Sequence, residues 1–300
     1  MDLNFLRLLD ALLTEKSVSR AAQKVGLSQP TMSGALAKLR RYFDDELLVR
    51  TGNNYLPSPL AQDLQPLVAS ALAAAQRVFD IARFDPRVSE REFTLATTDY
   101  GIATLVPEIV RVMSDSAPGT RLRVIPPESK FFEVPEVALR TVDAMLAPRG
   151  VVRGFHHLDL VSDEWVCVMS RDHPLAGTNF TLADLLRYPW VATTPRLPTA
   201  PTLALELLGA EPSTKVTVES FYTVPSLVVG SDRVAVLQRE LVRRSAHAGE
   251  LVISPPPFPV PSLVQALWWH PGFDDDAGHR WWRSCVQEGA DHAIKQRRRT

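Results

Sequence analysis

Residues 17–43, SVSRAAQKVGLSQPTMSGALAKLRRYF, decide how the rest of the chain is read. They encode two short helices joined by a tight turn. Ser17 offers a side-chain oxygen to a free backbone N–H, and the helix it opens runs from about Val18 to Val25. Val18, Ala21, Ala22 and Val25 recur at spacings of three and four and share one face. The paired alanines let another helix approach closely. Gly26 suits the left-handed end of a helix, and Leu27 is expected behind it as a buried plug. Ser28 is an N-cap, Gln29 and Pro30 fill a first turn where a missing N–H costs nothing, and the second helix runs to about Phe43. Met32, Leu36, Leu39 and Phe43 form its inner face. Its outer face opens with Gln29, Thr31, Ser33 and Gly34 and continues to Lys38 and Arg41.

Small polar groups at a helix N-terminus can reach base edges in a major groove about 12 Å wide. Lys38, Arg40 and Arg41 follow where phosphates would lie. The plain alternative is a helical hairpin with a solvated polar face. The caps, the Gly turn, the small polar leading edge and the trailing cations together favour DNA binding.

These residues carry a resemblance. Residues 4–59 resemble the winged helix-turn-helix domain of the LysR-type transcriptional regulators, on Phe5, Leu9, the run 17–22, Gly26-Leu27-Ser28-Gln29-Pro30, Ser33, Leu36, Leu39 and Leu47-Leu48-Val49-Arg50. Leu39-Arg40-Arg41 and Phe43-Asp44-Asp45 resemble the branch of nodulation activators and aromatic-catabolism regulators; many members carry Leu-Glu where this chain has Leu39-Arg40. The resemblance implies DNA contacts from Ser28, Gln29, Pro30, Thr31, Ser33, Gly34, Lys38, Arg41 and, on the wing, Arg50. The family often has a larger residue after the recognition-helix serine. Gly34 stands there, so the family's base preference does not carry over.

At 300 residues the chain is long enough for two or three domains with a sizeable core, and its net charge of −1 rules out a general polyanion binder. Residues 1–60 hold eight basic and six acidic side chains, a local bias of +2. Specific DNA binding needs a charged face rather than a charged protein. Cys167 and Cys285 sit in apolar company without metal spacing and read as buried thiols. His156-His157 and His173 do not make a metal site by spacing, and no cofactor is expected. There is no basic-then-apolar leader and no apolar run long enough for a membrane span, so a cytoplasmic protein is expected.

A first helix is predicted over 3–13. After Phe43 the acidic turn 44–46 leads to a strand at 47–50, a hairpin turn at Thr51-Gly52-Asn53-Asn54 and a return at Tyr55-Leu56, which together make a wing. Arg50 at its edge is placed for phosphate or the minor groove, or else is a solvated strand end. Ser58-Pro59 starts a helix to about Ala82 with Leu60, Leu64, Leu67, Val68, Ala71, Leu72, Ala75, Val78 and Phe79 on one broad stripe. Such a stripe calls for a partner helix, or for packing on the chain's own C-terminal domain. Pro66 predicts a bend. From Glu92 onward strands alternate with helices, including a single helix over 101–114, which predicts parallel sheets covered on both faces. The length fits two subdomains, crossed near 160–170 and re-crossed near 261–267.

The expected fold class is therefore α/β: a winged helix-turn-helix domain (1–58), a long linker helix (59–86) and an effector domain (87–300). That last part resembles the periplasmic-binding-protein-like effector domain of LysR-type regulators, with one subdomain at about 87–162 and 267–300 and the other at about 163–266. His173-Pro174-Leu175-Ala176 and residues 268–281 are family-like as well. The resemblance implies a homodimer paired through the linker helix and a homotetramer built as a dimer of dimers.

In open α/β sheets ligands sit beyond the carboxyl ends of strands. This nominates Thr97, Thr98 and Tyr100 after the opening strand, Thr194 and Pro198 in the 193–199 stretch, and Phe221, Tyr222 and Thr223 before a helix. Pro127, Pro148 and Arg149 would complete the rim, with Arg149 either a counter-ion or an exposed loop residue. Hydroxyls with free N–H groups suit a carboxylate or phenolate; Asp99 opposes that charge unless it caps its own helix, which is the role expected of it. Aromatic rings beside hydroxyls favour a small aromatic or phenolic effector, although aromatic residues are more often core than ligand cage. The function expected is a ligand-responsive DNA-binding transcription regulator whose partners are double-stranded DNA and a small-molecule effector. The competing class is a small-molecule-binding module or enzyme with an incidental helical N-terminus. Against catalysis stands the lack of a nucleophile elbow, a Gly-rich phosphate loop and clustered metal ligands.

Overall fold

The computed structural model describes residues 4–51, 54–80, 84–193 and 198–297. The chain divides into two compact units, Met1–Phe84 and Asp85–Thr300.

The first unit opens with α1 (Asn4–Glu15), α2 (Val18–Val25) and α3 (Gln29–Phe43). Local chemistry sets their ends. Arg20 N–H donates to Ser17 Oγ at the start of α2, and Gly26, at φ 72°, closes it with N–H bonds to the carbonyls of Ala22 and Gln23. Leu27 N–H bonds back to the Ala22 carbonyl, so the turn carries its side chain outward and leaves it 39% exposed rather than buried. Thr31 N–H donates to Ser28 Oγ at 3.3 Å to start α3. Met32, Leu36 and Leu39 pack with Leu9, Leu12, Leu13, Ala21 and Ala22 in one core.

The wing is β1 (Leu48–Thr51) paired antiparallel with β2 (Asn54–Pro57); residues 52 and 53 of its turn lie outside the described residues. Arg40 does not face outward with its basic neighbours. Its Nε donates to the Glu46 carbonyl and its Nη2 to the Leu48 carbonyl, each at 2.8 Å, so it ties α3 to the wing. The helix α4 (Pro59–Asp80) is continuous through Pro66 and spans about 33 Å at ~1.5 Å per residue. Part of its stripe is spent inside this unit, where Ala61, Val68, Leu64 and Leu72 join the α1–α3 core. Leu67, on the other side, is 51% exposed, and Ala71 and Ala75 are exposed with it.

The second unit holds two five-stranded sheets. The first elements are β3 (Glu92–Ala96), α5 (Asp99–Thr104), α6 (Val106–Ser116), β4 (Arg121–Ile125), α7 (Lys130–Glu133), α8 (Pro135–Ala138), β5 (Ala144–Pro148) and β6 (His156–Asp163). The chain crosses to the second sheet with β7 (Trp165–Ser170), α9 (Leu182–Leu185), β8 (Trp190–Thr193), α10 (Ala200–Leu207), β9 (Thr214–Val218), α11 (Val224–Val228), β10 (Val234–Gln238), α12 (Arg239–Arg244) and β11 (Leu251–Ser254). It returns with β12 (Leu263–Trp269) and ends in α13 (Ala277–Arg297). The strand orders are β4-β3-β5-β12-β6 and β11-β7-β10-β8-β9.

Both sheets are mixed rather than purely parallel. β12 runs antiparallel to β5 and β6, and β7 runs antiparallel to β10 and β11, because the crossing strands enter each sheet from the other subdomain. The helix expected over 101–114 is two: Pro107 cannot continue the ladder, and α5 stops at Thr104 before α6 starts. The first sheet is pinned to α13 by Arg91, which reaches Asp276 at 2.8 Å and Asp143 at 3.0 Å.

Candidate nucleic-acid interface and ligand cleft

Helix α3 buries Met32, Ala35, Leu36 and Leu39, so the intervening positions face outward by helical geometry. Ser28, Gln29, Pro30, Thr31, Ser33, Gly34, Lys38 and Arg41 are all exposed, as is Arg50 on β1. Ser28 and Thr31 are partly spent on the helix start, their hydroxyls 2.7 Å apart. Around Gly34 a Cβ would meet nothing within 4 Å, so the glycine is not demanded by packing inside the chain. Lys38 Nζ stands 5.9 Å from the centre of the Phe5 ring.

The nominated ligand residues gather at matching ends of the two sheets. Parallel pairing of β3 with β4 and β5 puts Thr97 and Pro127 just beyond, and Pro148 at, the same sheet end. Parallel pairing of β8 with β9 does the same for Pro198 and the 220–223 loop. Thr194 lies outside the described residues. Asp99 joins the two ends. Its Oδ1 accepts the Tyr100 N–H at 2.9 Å, while its Oδ2 accepts the Ser220 hydroxyl at 2.6 Å and the Tyr222 N–H at 2.8 Å. Asp99 is the first residue of α5 and Thr98 its N-cap, so the cap expectation is corrected: one Asp99 oxygen accepts the next residue's N–H and the other holds the facing subdomain.

Several nominated side chains are already committed. Tyr100 is 2% exposed; its hydroxyl donates to Asp163 at 2.8 Å, and its ring lies in a core shared with Trp165, Val166, Phe221 and Leu241. Tyr100 and Phe221 thus form part of the packing between subdomains instead of an open ligand wall. Thr97 is buried with an unpartnered hydroxyl that leaves no room for a Cβ on Gly101. Thr223 Oγ1 donates to the Ser220 carbonyl. Arg149 is exposed and pairs with Asp159 at 3.0 Å. Thr98 and Tyr222 remain accessible at the cleft.

A buried polar network lies beneath. Asp163 also accepts the backbone N–H of Glu164, and that of Glu240 on α12. Glu240 meets Arg244 at 2.7 Å and both Arg243 and Arg297 at 3.6 Å, while Arg244 reaches across to the Ala103 carbonyl. Burial pushes the Asp163 carboxyl up against the opposing hydrogen bond from Tyr100, and burial with the Asp163 charge pushes the Tyr100 phenol up. No composition or spacing cue marks this network, because its members lie far apart in the chain. A pocket of about 410 Å³ at the crossing, lined by Trp165, Arg239, Pro256 and Phe258 among others, was likewise outside the sequence reading.

Burial pushes the Cys167 thiol up to about 12 and Cys285 up to about 11, and both are free and buried. Among the described residues no three His, Cys, Asp or Glu side chains gather as a metal site, and no helix is long and apolar enough to cross a membrane.

Residues 3–62 match the family model of the bacterial regulatory helix-turn-helix proteins of the lysR family, and residues 86–291 match the LysR substrate binding domain. Nodulation protein D 2 of Rhizobium tropici is 29% identical over 301 residues, spanning 99% of this chain and 95% of that protein. Nodulation protein D 1 of Bradyrhizobium diazoefficiens is 30% identical over 299 residues, spanning 97% and 94%. A probable transcriptional regulator from Pseudomonas aeruginosa is 30% identical in its crystal structure, with a TM-score of 0.76 over 96% of each chain. The fold is shared with full-length CbnR, solved with its target DNA, at 15% identity and a TM-score of 0.64 over 98% of this chain and 100% of that one. The chain belongs to the LysR family: it is a LysR-type transcriptional regulator with a helix-turn-helix domain and an effector-binding domain.

Proposed function

We propose that α3 reads base edges in the major groove through Gln29, Ser33 and Gly34. Ser28, Pro30 and Thr31 set its leading edge, and Lys38, Arg41 and Arg50 contact phosphates. The observation that carries this reading is the unbroken exposed face of α3 from Ser28 to Arg41, opposite a fully packed inner face. Two such faces read a dyad element, with the subunits paired through α4. The exposed line of Leu67, Ala71 and Ala75 supports that pairing. A homotetramer and a cytoplasmic location complete the family-based reading. The domain limits proposed are 1–58, 59–86 and 87–300. The effector, a small aromatic molecule or a carboxylate, acts at the cleft between the two subdomains. There it shifts the population of subunit arrangements and so the DNA contacts.

The test is footprinting of the full chain on the DNA upstream of its own gene. A protected dyad is expected for wild type, and its loss for a Gln29→Ala/Ser33→Ala double variant. A double variant that protects the same dyad at the same concentration overturns the assignment of α3.

A further inference from the structure

The cleft carries its own carboxylate. Asp99 Oδ2 takes two donors from the facing subdomain, the Ser220 hydroxyl at 2.6 Å and the Tyr222 N–H at 2.8 Å. Those donors are separated from Asp99 by more than a hundred residues, so the contact is a tertiary bridge. A convergent hydroxyl and backbone N–H make the kind of site that accepts a carboxylate, since charged acceptors strengthen such bonds. Asp99 occupies it from within. It also places a negative charge at the point where an incoming anion would seek the same donors. Among the described rim residues the nominated cation is Arg149, and it is turned to Asp159.

We infer that Asp99 sets the charge specificity of the cleft: it acts as a built-in counter-ligand that closes the two subdomains on each other and excludes carboxylate effectors, so the natural effector is uncharged at this position. This rests on the reading of the cleft as the effector site, and it narrows that reading from two ligand classes to one. An uncharged effector with a hydroxyl or carbonyl oxygen is tolerated beside Asp99, because it can donate to the carboxylate or share the Tyr222 N–H. A carboxylate is not, because two like charges would compete for two donors.

The inference is tested on the full chain with formate, the group that Asp99→Ala removes, and with formamide, its uncharged counterpart. Asp99→Ala is expected to melt several degrees below wild type. Formate at tens of millimolar should recover at least half of that fall, because a ligand bound only by the folded state raises its stability by mass action. Formamide and chloride at equal concentration should not. Wild type should shift by less than a degree with any of the three. Asp99→Asn, which keeps one acceptor oxygen, should fall between the two and show no recovery with formate. Adding Ser220→Ala to Asp99→Ala should abolish the recovery. Formate raising wild type as much as Asp99→Ala overturns the inference, as does an Asp99→Ala protein that melts like wild type or ignores formate. If Asp99→Ala takes formate but its affinity for operator DNA does not respond, the charge gate stands and the cleft is not the effector site.

Discussion

Helix α3 and the loop between β9 and α11 both present polar groups and use them in opposite ways. On α3, Gln29, Ser33 and Gly34 stand in water with a packed core behind them. On the loop, Ser220, Tyr222 and Thr223 are hydrogen-bonded to Asp99 or to one another. The difference follows from what each surface must do when empty. A DNA groove brings its own charge and hydration, so the groups that read it can wait in solvent without being needed by the fold. A cleft between two subdomains has to hold those subdomains together before any ligand arrives, so Asp99, Ser220 and the Tyr222 N–H are partnered across it. Removing the exposed side chains of Gln29 and Ser33 should therefore change binding without loss of stability, whereas substitutions around the cleft should cost both.

The largest effect is expected under the cleft. Glu240→Ala removes the carboxylate that faces Arg243, Arg244 and Arg297 and leaves Arg297, whose side chain is only 14% exposed, with Asp163 as the remaining acidic neighbour. Breaking a buried pair from one side typically costs about 3 kcal/mol or more. Calorimetry should show the transition of the C-terminal unit falling by several degrees while that of the N-terminal unit stays in place. A variant with both transitions unmoved would break the claim that this network joins the subdomains.

The Gln29→Ala/Ser33→Ala double variant comes next, and it tests the other side. Two base-reading side chains at ~1–3 kcal/mol each predict roughly a hundredfold loss of specific DNA affinity. Its melting temperature should match wild type to within a degree. A fall of more than a few degrees would mean that these side chains do serve the fold.

The contrast also explains what could be read from residues alone. The α2–Gly26–α3 hairpin was legible because each determinant is local: Ser17 caps Arg20, Gly26 closes onto Ala22, and Ser28 caps Thr31. Leu27 departs from expectation because its apolar character points inward, while the backbone closure that turns it outward depends on φ at Gly26. In the C-terminal unit the alternation of strands and helices was legible, but sheet direction was not, since β7 and β12 join sheets through crossings that no local pattern encodes. Thr97, Pro127 and Pro148 do lie at one end of their sheet. Which of the cleft residues were already committed could not be seen, because Tyr100 finds Asp163 across 63 residues and Asp99 finds Ser220 across 121. Helix α12, which supplies Glu240, was missed: six residues are too few for a periodic signal.

Acid gives a third way to separate the two units. All seven histidines lie beyond residue 155. His279 is fully buried, stacked on Phe273, with its Nε2–H donating to the Asp143 carbonyl and Nδ1 accepting from Arg283. Burial, with the nearby Arg283 and Arg91 charges, holds it down at about 3 against the opposing Asp143 hydrogen bond. Burial lowers His173 in the same direction. A histidine depressed in the folded state binds its proton only on unfolding, so its stabilisation is complete above about pH 6.5 and is lost as pH falls towards 3. At pH 5 the loss from His279 is about 2 kcal/mol. Melting of the C-terminal unit should therefore decline between pH 7 and 5 while the N-terminal unit holds, and His279→Gln should flatten that decline at the cost of a lower starting point. A wild-type decline that is equal in both units would remove His279 as its cause.

The smallest effect is the most discriminating, because its two parts have opposite signs. Gly34 lies inside α3, and a Cβ there meets nothing within 4 Å. In a helix interior alanine is better than glycine by up to ~1 kcal/mol, because glycine gives up more backbone freedom on folding. Gly34→Ala should therefore raise the melting temperature of the N-terminal unit by a few degrees. If α3 lies in the major groove with Gly34 against the bases, the added methyl meets DNA where the free protein offers only space, and specific affinity should fall even as stability rises. A variant that gains stability and keeps its operator affinity would move Gly34 away from the bases and leave Gln29 and Ser33 to carry the readout. One that gains neither would show that this turn of α3 is held by something other than the helix itself. Only the opposed pair of changes, stability up and affinity down, is what a reading face set apart from the fold predicts.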